Sequence, residues 1–248
     1  MGLVEIVDPF EYRDRLVMPK FIVNAAGDDF FVSDSIRFYF NQLPGETYLR
    51  HVPNTDHYLT GAFDDVFNSM IPYYDALLNE DERPVFSWSL EEDGSIRVET
   101  VDVPRTVNLW QASNPSTRDF RLPTIGTAWE SSAVADQGGG VYIGEVDEPE
   151  SGWTAFFIEL VYDSPFRGPN EFDYHFTTEM RVLPETLPYE ADFDRDNITD
   201  ILDLDILSRV WLSENSYRDI APVMSGDGIV NSKDFAVFAR HWLEGVSY

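Results

Sequence analysis

Apolar residues along the first third of the chain alternate between two spacings. Phe21-Ile22-Val23 is a short apolar run between Pro19 and Gly27. A strand covered on both faces reads this way, as a continuous run rather than an alternation. Ser33 to Asn41 then carries Ile36 and Phe40 at helical spacing, and Leu43-Pro44-Gly45 stops it. Thr47 to Val52 predicts a second strand. From Asp64 to Leu78 the apolar positions Val66, Phe67, Met70, Ile71, Tyr74, Leu77 and Leu78 fall on helical spacing, with Pro72 expected to kink the helix or start a new one. Strand, helix, strand, helix points to a parallel sheet with crossovers. Two strands are too few for such a sheet, so they are expected to be the last two of a larger one.

From about Pro84 to Pro188 the pattern changes to strict alternation. Phe86, Trp88 and Leu90 alternate with serines, Asp93-Gly94 signals a turn, and Ile96 and Val98 resume at period two. Val107–Trp110, Val141–Val146, Thr154–Tyr162 and Tyr174–Val182 are further strand candidates, with Gly138-Gly139-Gly140 marking a turn between them. Short strands at this density predict a β-sandwich. From Ala191 there is an internal repeat: Asp196, Asp203, Trp211 and Leu212 recur as Asp227, Asp234, Trp242 and Leu243 at one constant offset. Each copy is an acidic loop followed by an amphipathic helix, which predicts paired modules burying their apolar faces on each other. Leu187-Pro188-Tyr189-Glu190 reads as the linker before it. The expected domains are residues 1–82, 83–188 and 189–248.

Charge narrows the partners. The formal net charge is -28. So acidic a chain repels nucleic acid and anionic membranes, and favours divalent cations that prefer carboxylate oxygen. There is no cysteine, which removes disulfides, thiolate zinc sites and a cysteine nucleophile together. No apolar run approaches the roughly 20 residues of a membrane span. Met1 to Leu16 carries charges every few residues and has no apolar core segment, so it is not a signal peptide. The chain is expected to begin inside a longer protein.

The tail carries the first candidate chemistry. Asp192, Asp194, Asp196, Asp200 and Asp203 stand at positions 1, 3, 5, 9 and 12 of a calcium-type loop, and Ile198 at position 7 can offer its carbonyl. Such an oxygen ring suits a hard cation. In the second copy Ser225, Asp227, Ile229, Asn231 and Asp234 stand at positions 3, 5, 7, 9 and 12, while Val223 at position 1 has no side-chain oxygen. Ca2+ is therefore expected at the first loop, and more weakly at the second.

The second candidate lies after the two apolar strands. Gly27-Asp28-Asp29 follows the first, and Asn54-Thr55-Asp56-His57 follows the second. In α/β-hydrolases the triad runs nucleophile, acid, histidine along the chain, the last two on loops after late strands. The histidine takes the nucleophile's proton, and the carboxylate fixes its tautomer and stabilises the imidazolium. Asp28 is the candidate acid, Asp29 its alternative, and His57 the candidate base. By spacing alone, an Asp28 that caps a helix and an ordinary loop histidine remain equally open. His51, His175 and His241 read as packing or surface residues. Trp88, Trp110, Trp129 and Trp153 read as core rather than as sugar-stacking platforms.

Two stretches carry resemblances. Val7-Asp8-Pro9-Phe10-Glu11-Tyr12, Met18-Pro19-Lys20-Phe21-Ile22-Val23-Asn24-Ala25-Ala26-Gly27-Asp28 and Val52-Pro53-Asn54-Thr55-Asp56-His57 resemble the PhoPQ-activated pathogenicity-related protein family. So do Leu109-Trp110-Gln111-Ala112, Arg118-Asp119-Phe120-Arg121 and Gly152-Trp153-Thr154-Ala155-Phe156-Phe157, and the likeness runs over most of residues 3–189. This implies an α/β-hydrolase with an appended β-domain and a serine well upstream of Asp28. No Gly-x-Ser-x-Gly occurs in the chain, so the nucleophile is missing and the chain alone is expected to be inactive. Ala191 to about Gly245 resembles a type I dockerin, which implies calcium-dependent folding and a possible cohesin-like scaffold partner. Taken together, the expected fold is a partial α/β-hydrolase sheet, a β-sandwich and a small all-α calcium-binding pair. The expected function is the C-terminal part of a secreted or extracytoplasmic serine hydrolase with an anchoring module. The alternative is a non-catalytic, calcium-dependent adhesion or scaffold-anchoring protein.

Overall fold

The structure is a computed structural model, and it describes residues 7–91, 93–147, 149, 151–168, 172–184, 191–193, 198–215, 218–221 and 227–243. The chain forms two compact units, Met1–Glu185 and Thr186–Tyr248. In the first, β1 (Lys20–Ala25) and β2 (Thr47–Val52) pair in parallel, from Lys20 opposite Thr47 to Ala25 opposite Val52. The helix α1 (Phe63–Asn79) follows them and runs through Pro72 as one helix, so no new helix starts there. The helix expected over Ser33–Asn41 is instead two 3-10 turns, Ser35–Phe38 and Phe40–Gln42. Asp34 stands at the N-cap position but makes no capping bond. Its buried carboxylate pairs with Arg118 at 2.5 Å and Arg37 at 3.4 Å.

The remaining strands are antiparallel. β3 (Phe86–Leu90), β4 (Ile96–Thr100) and β7 (Val141–Gly144) form a three-stranded sheet in that order. β5 (Thr106–Asn114), β6 (Glu130–Ala133), β8 (Trp153–Tyr162), β9 (Tyr174–Thr177) and β10 (Arg181–Leu183) form a five-stranded one, with the one-turn helix α2 (Leu122–Ile125) leading into β6. β9 and β10 lie end to end along one edge of β8, because Thr178 leaves the ladder: its amide donates to Ile158 O and its hydroxyl oxygen accepts from Ile158 N. β8 is buried on both faces and so reads as an almost unbroken apolar run.

One core joins all three sheets. Ile96, Val98, Leu109, Phe156, Ile158, Leu160 and Phe176 pack with Tyr73 and Ala76 of α1, and with Phe21 and Tyr48 of the parallel pair. On the other face of β8, Ala155 and Phe157 pack with Ala26, Phe120, Trp129 and Met180. The four tryptophans Trp88, Trp110, Trp129 and Trp153 all pack against these two cores. The expected partition into a partial hydrolase sheet, a sandwich and an all-α calcium-binding pair is therefore corrected. The fold is mixed α/β, made mostly of sheet with few helices. The change from helical to alternating pattern marks a change of strand pairing, not the edge of a core.

The second unit holds α3 (Ile201–Arg209) and α4 (Ser232–Arg240). Its apolar centre is Ala191, Phe193, Leu207, Val230 and Phe238. Among the described residues no three carboxylate or histidine side chains are gathered to hold a metal ion. The expected linker Leu187–Glu190 lies outside the described residues. Among the described residues, no helix is long and apolar enough to cross a membrane.

Candidate active site

The parallel ladder continues beyond the strands and sends two loops out side by side. Ala26 N donates to Val52 O at 2.8 Å and Gly27 N to Thr55 O at 3.2 Å. A Cβ at Gly27 would meet Thr55 O at 2.8 Å and Leu122 N at 3.0 Å, so only glycine permits this approach. Asn54 fastens the second loop. It takes a left-handed conformation with φ 56, its Nδ2 donates to Trp129 O at 2.9 Å, and its Oδ1 accepts from Trp129 N at 3.0 Å. Asp56 closes the loop by accepting from Thr60 N at 3.0 Å.

These loops bring Asp28 and His57 together. Asp28 Oδ2 lies 3.0 Å from His57 Nδ1. Its other oxygen accepts from the amides of Phe30 at 2.7 Å and Phe31 at 2.9 Å, which fixes the carboxylate plane. Asp29 reaches the backbone of His57 instead, accepting from its amide at 3.4 Å. The imidazole therefore has its Nδ1 turned to a carboxylate, and among the described residues no hydrogen bond holds its Nε2, the nitrogen that would exchange a proton with a third group. Phe30, Phe31 and Tyr58 surround the ring, at centroid distances of 5.2, 5.5 and 5.3 Å. Sequence reasoning singled out neither this aromatic collar nor the Asn54 clamp. An Asn-Thr-Asp turn after an apolar strand was the available signal for the clamp.

The other histidines are placed differently. His51 is fully buried against Phe157, with ring centroids 5.3 Å apart, and burial pushes its imidazole down to about 3. His175 lies 3.0 Å from Glu159, which also accepts from Trp110 Nε1 at 3.0 Å and Asn108 Nδ2 at 3.3 Å. Burial alone would raise the Glu159 carboxyl, but the donors on it hold it down to about 2. His241 follows α4 as its C-cap residue.

In the tail, the two copies place their last aspartates alike. Asp200 caps α3 by accepting from Leu202 N at 2.7 Å, and the fully buried Asp203 accepts from Asp200 N at 2.9 Å and from Phe193 N. Asn231 caps α4 by accepting from Lys233 N at 2.9 Å. Asp234, also fully buried, accepts from Asn231 N at 2.7 Å, Ile220 N at 2.6 Å and Ala221 N at 2.9 Å. These are reciprocal capping boxes, which satisfy otherwise orphaned helix N–H groups. Asp192 is buried, Asp227 accepts from Lys233 Nζ, and the carbonyl of Ile229 accepts from Asn231 Nδ2 at 2.7 Å. Ile198 is half-buried just before the Asp200 cap. Asp194, Asp196, Val223 and Ser225 lie outside the described residues. Asp219 is an addition: its carboxylate accepts from Asp227 N at 3.0 Å and Gly228 N at 2.5 Å. A four-residue shift in loop length hid it from the repeat comparison.

Fold and site together define a mixed α/β protein with a carboxylate-oriented histidine beyond the carboxyl ends of two parallel strands. Residues 1–121 match the family described as PhoPQ-activated pathogenicity-related protein. Autocrine proliferation repressor protein A of Dictyostelium discoideum is 33% identical to the chain over 208 residues, which cover 75% of this chain and 42% of that relative. The chain thus spans less than half the length of this curated relative. No solved structure matches it.

Proposed function

We propose that the chain is a PhoPQ-activated pathogenicity-related protein and carries the acid and base of a serine-hydrolase site, His57 and Asp28, in a secreted or extracytoplasmic setting. One observation supports this above all: the 3.0 Å contact between His57 Nδ1 and Asp28 Oδ2, on adjacent loops at the carboxyl ends of parallel strands. Ligands of open α/β sheets bind beyond those strand ends. A serine hydroxyl supplied from outside these 248 residues would attack the acyl carbonyl and lose its proton to His57 Nε2. The leaving group departs with that proton, and water then repeats the sequence to free the acid and the serine. Asp28 stabilises the imidazolium throughout without itself taking the proton. The test is the tautomer. Nitrogen-15 shifts of neutral His57 should place the proton on Nδ1, and Asp28→Asn should erode that preference. A proton on Nε2 in the unaltered chain would sink the reading.

A second proposal concerns the tail, where Asp192, Asp194, Asp196, Asp200 and Asp203 with the carbonyl of Ile198 would hold Ca2+. Two carboxylates kept out of water in one loop, Asp192 and Asp203, support it. The loop from Asp219 to Asp234 would bind more weakly, because Lys233 already occupies Asp227. Bound calcium would supply rigidity to the loop, and a cohesin-like scaffold is the partner such a tail would serve. Calorimetric titration of the full chain should show calcium uptake with Kd at or below about 10⁻³ M, abolished by Asp192→Ala. No heat at millimolar calcium would end this proposal.

A further inference from the structure

We propose that the cavity beside the His57–Asp28 pair receives the apolar acyl chain of an uncharged ester, an inference that rests on the hydrolase reading above. The cavity measures about 810 Å³ and has Asp28 in its wall. That volume lies within the usual range for a small-molecule site. The rest of the wall is largely apolar, with Phe10, Leu16, Phe31, Val32, Phe38 and Leu43 prominent. Phe31 belongs to both features, lining the cavity and standing 5.5 Å from the His57 ring, so one side chain joins the cavity wall to the imidazole. Two of the lining side chains, Phe31 and Val32, are 59% and 64% exposed, so apolar surface is open to solvent on this wall.

Two charged groups of the wall, Asp8 and Arg13, make contacts within their own turn. Asp8 accepts from Phe10 N at 2.9 Å, and the Arg13 guanidinium donates to Phe10 O at 2.9 Å while lying over the Phe10 ring. Tyr39 is hydrogen-bonded to Asn24. Arg13 is the one cation among the lining residues and lies on Phe10, and the net charge of -28 with Asp28 in the same wall repels an anion. The site therefore fits a neutral ester and disfavours a fatty-acid anion. Hydrolysis turns the first into the second, so the same charge would help expel the acid product.

Binding is read on the 248-residue chain, without turnover, by titrating methyl butyrate, methyl hexanoate and methyl octanoate below their solubility limits. His57 and Phe31 resonances report occupancy. Affinity should rise about fourfold per added methylene, as burial of a CH₂ group dictates. Octanoate anion should bind at least tenfold more weakly than methyl octanoate. Phe31→Ala and Val32→Asp, both at exposed positions, should each weaken the octanoate ester at least tenfold. Affinity independent of chain length, equal binding of the anion, or insensitivity of folded Val32→Asp and Phe31→Ala chains would each overturn the proposal. The two readings fail separately. Length-dependent binding with no hydrolysis in any form bearing a serine would remove the hydrolase and leave the pocket. Hydrolysis indifferent to acyl length would do the reverse.

Discussion

In a form of the protein that carries a serine nucleophile, His57→Ala should lower kcat for ester hydrolysis by on the order of 10⁶-fold, and Asp28→Asn by about 10⁴-fold. The two losses differ for a physical reason. Without the imidazole nothing accepts the hydroxyl proton, whereas asparagine at position 28 leaves the geometry and spoils only the tautomer and the charge that steadies the imidazolium. Asp29→Asn should have a far smaller effect, since Asp29 holds the backbone of His57 and not its ring. The 248 residues by themselves should hydrolyse no activated ester above the buffer rate, because the oxyanion hole belongs beside the nucleophile. The assay is initial rates on short nitrophenyl esters with each purified variant. Turnover by the 248-residue chain that vanishes with His57→Ala would mean that a serine within it is the nucleophile. Turnover in a longer form that survives His57→Ala would mean the pair is not the base.

Phe176→Ala should destabilise the first unit by about 3–5 kcal/mol. The side chain is fully buried and meets five aromatic rings: Phe21 at 5.6 Å, Tyr48 at 4.2 Å, Phe86 at 6.0 Å, Tyr162 at 6.5 Å and Tyr174 at 5.5 Å. Those partners come from β1, β2, β3, β8 and β9, so the cavity would open where the three sheets meet and could not collapse by moving one element. Urea unfolding followed by tryptophan fluorescence and far-ultraviolet dichroism should shift to a lower midpoint with both probes still coincident. A loss under about 1 kcal/mol, or two separated transitions, would show that the parallel pair and the antiparallel sheets are stabilised independently.

What could be read from the sequence follows from the range of each interaction. β1 was legible because Phe21-Ile22-Val23 is a continuous apolar run bracketed by Pro19 and Gly27, and β2 because a short stretch of strand-forming residues, Thr47 to Val52, follows the Leu43-Pro44-Gly45 stop. Asp28 and Asp29 were not separable, since adjacent acids differ only in where the loop turns them. The 3-10 turns over Ser35–Gln42 have the apolar spacing of a helix, but Asp34 is drawn away to Arg118, 84 residues on in the chain. Alternation after Pro84 identified strands without saying which pair, and Thr178, which splits the last of them into β9 and β10, looks like any strand threonine. Asp219 escaped because the two tail loops differ in length, and a comparison at constant offset cannot see a carboxylate that arrives by a longer path.

The ring packing around Phe176 also fixes where this protein can be cut. Stretches of chain are exchanged between proteins most readily where few contacts cross the junction. The change of pattern near residue 83 looks like such a junction, yet Tyr48 stacks on Phe176 across it and its hydroxyl donates to Pro84 O at 2.8 Å. A foreign sheet spliced in at that point would have to bring the same aromatic surface with it. The chain divides into its two compact units after Glu185. Tails should therefore be gained, lost and swapped at that joint, while residues 7–184 are inherited as a block.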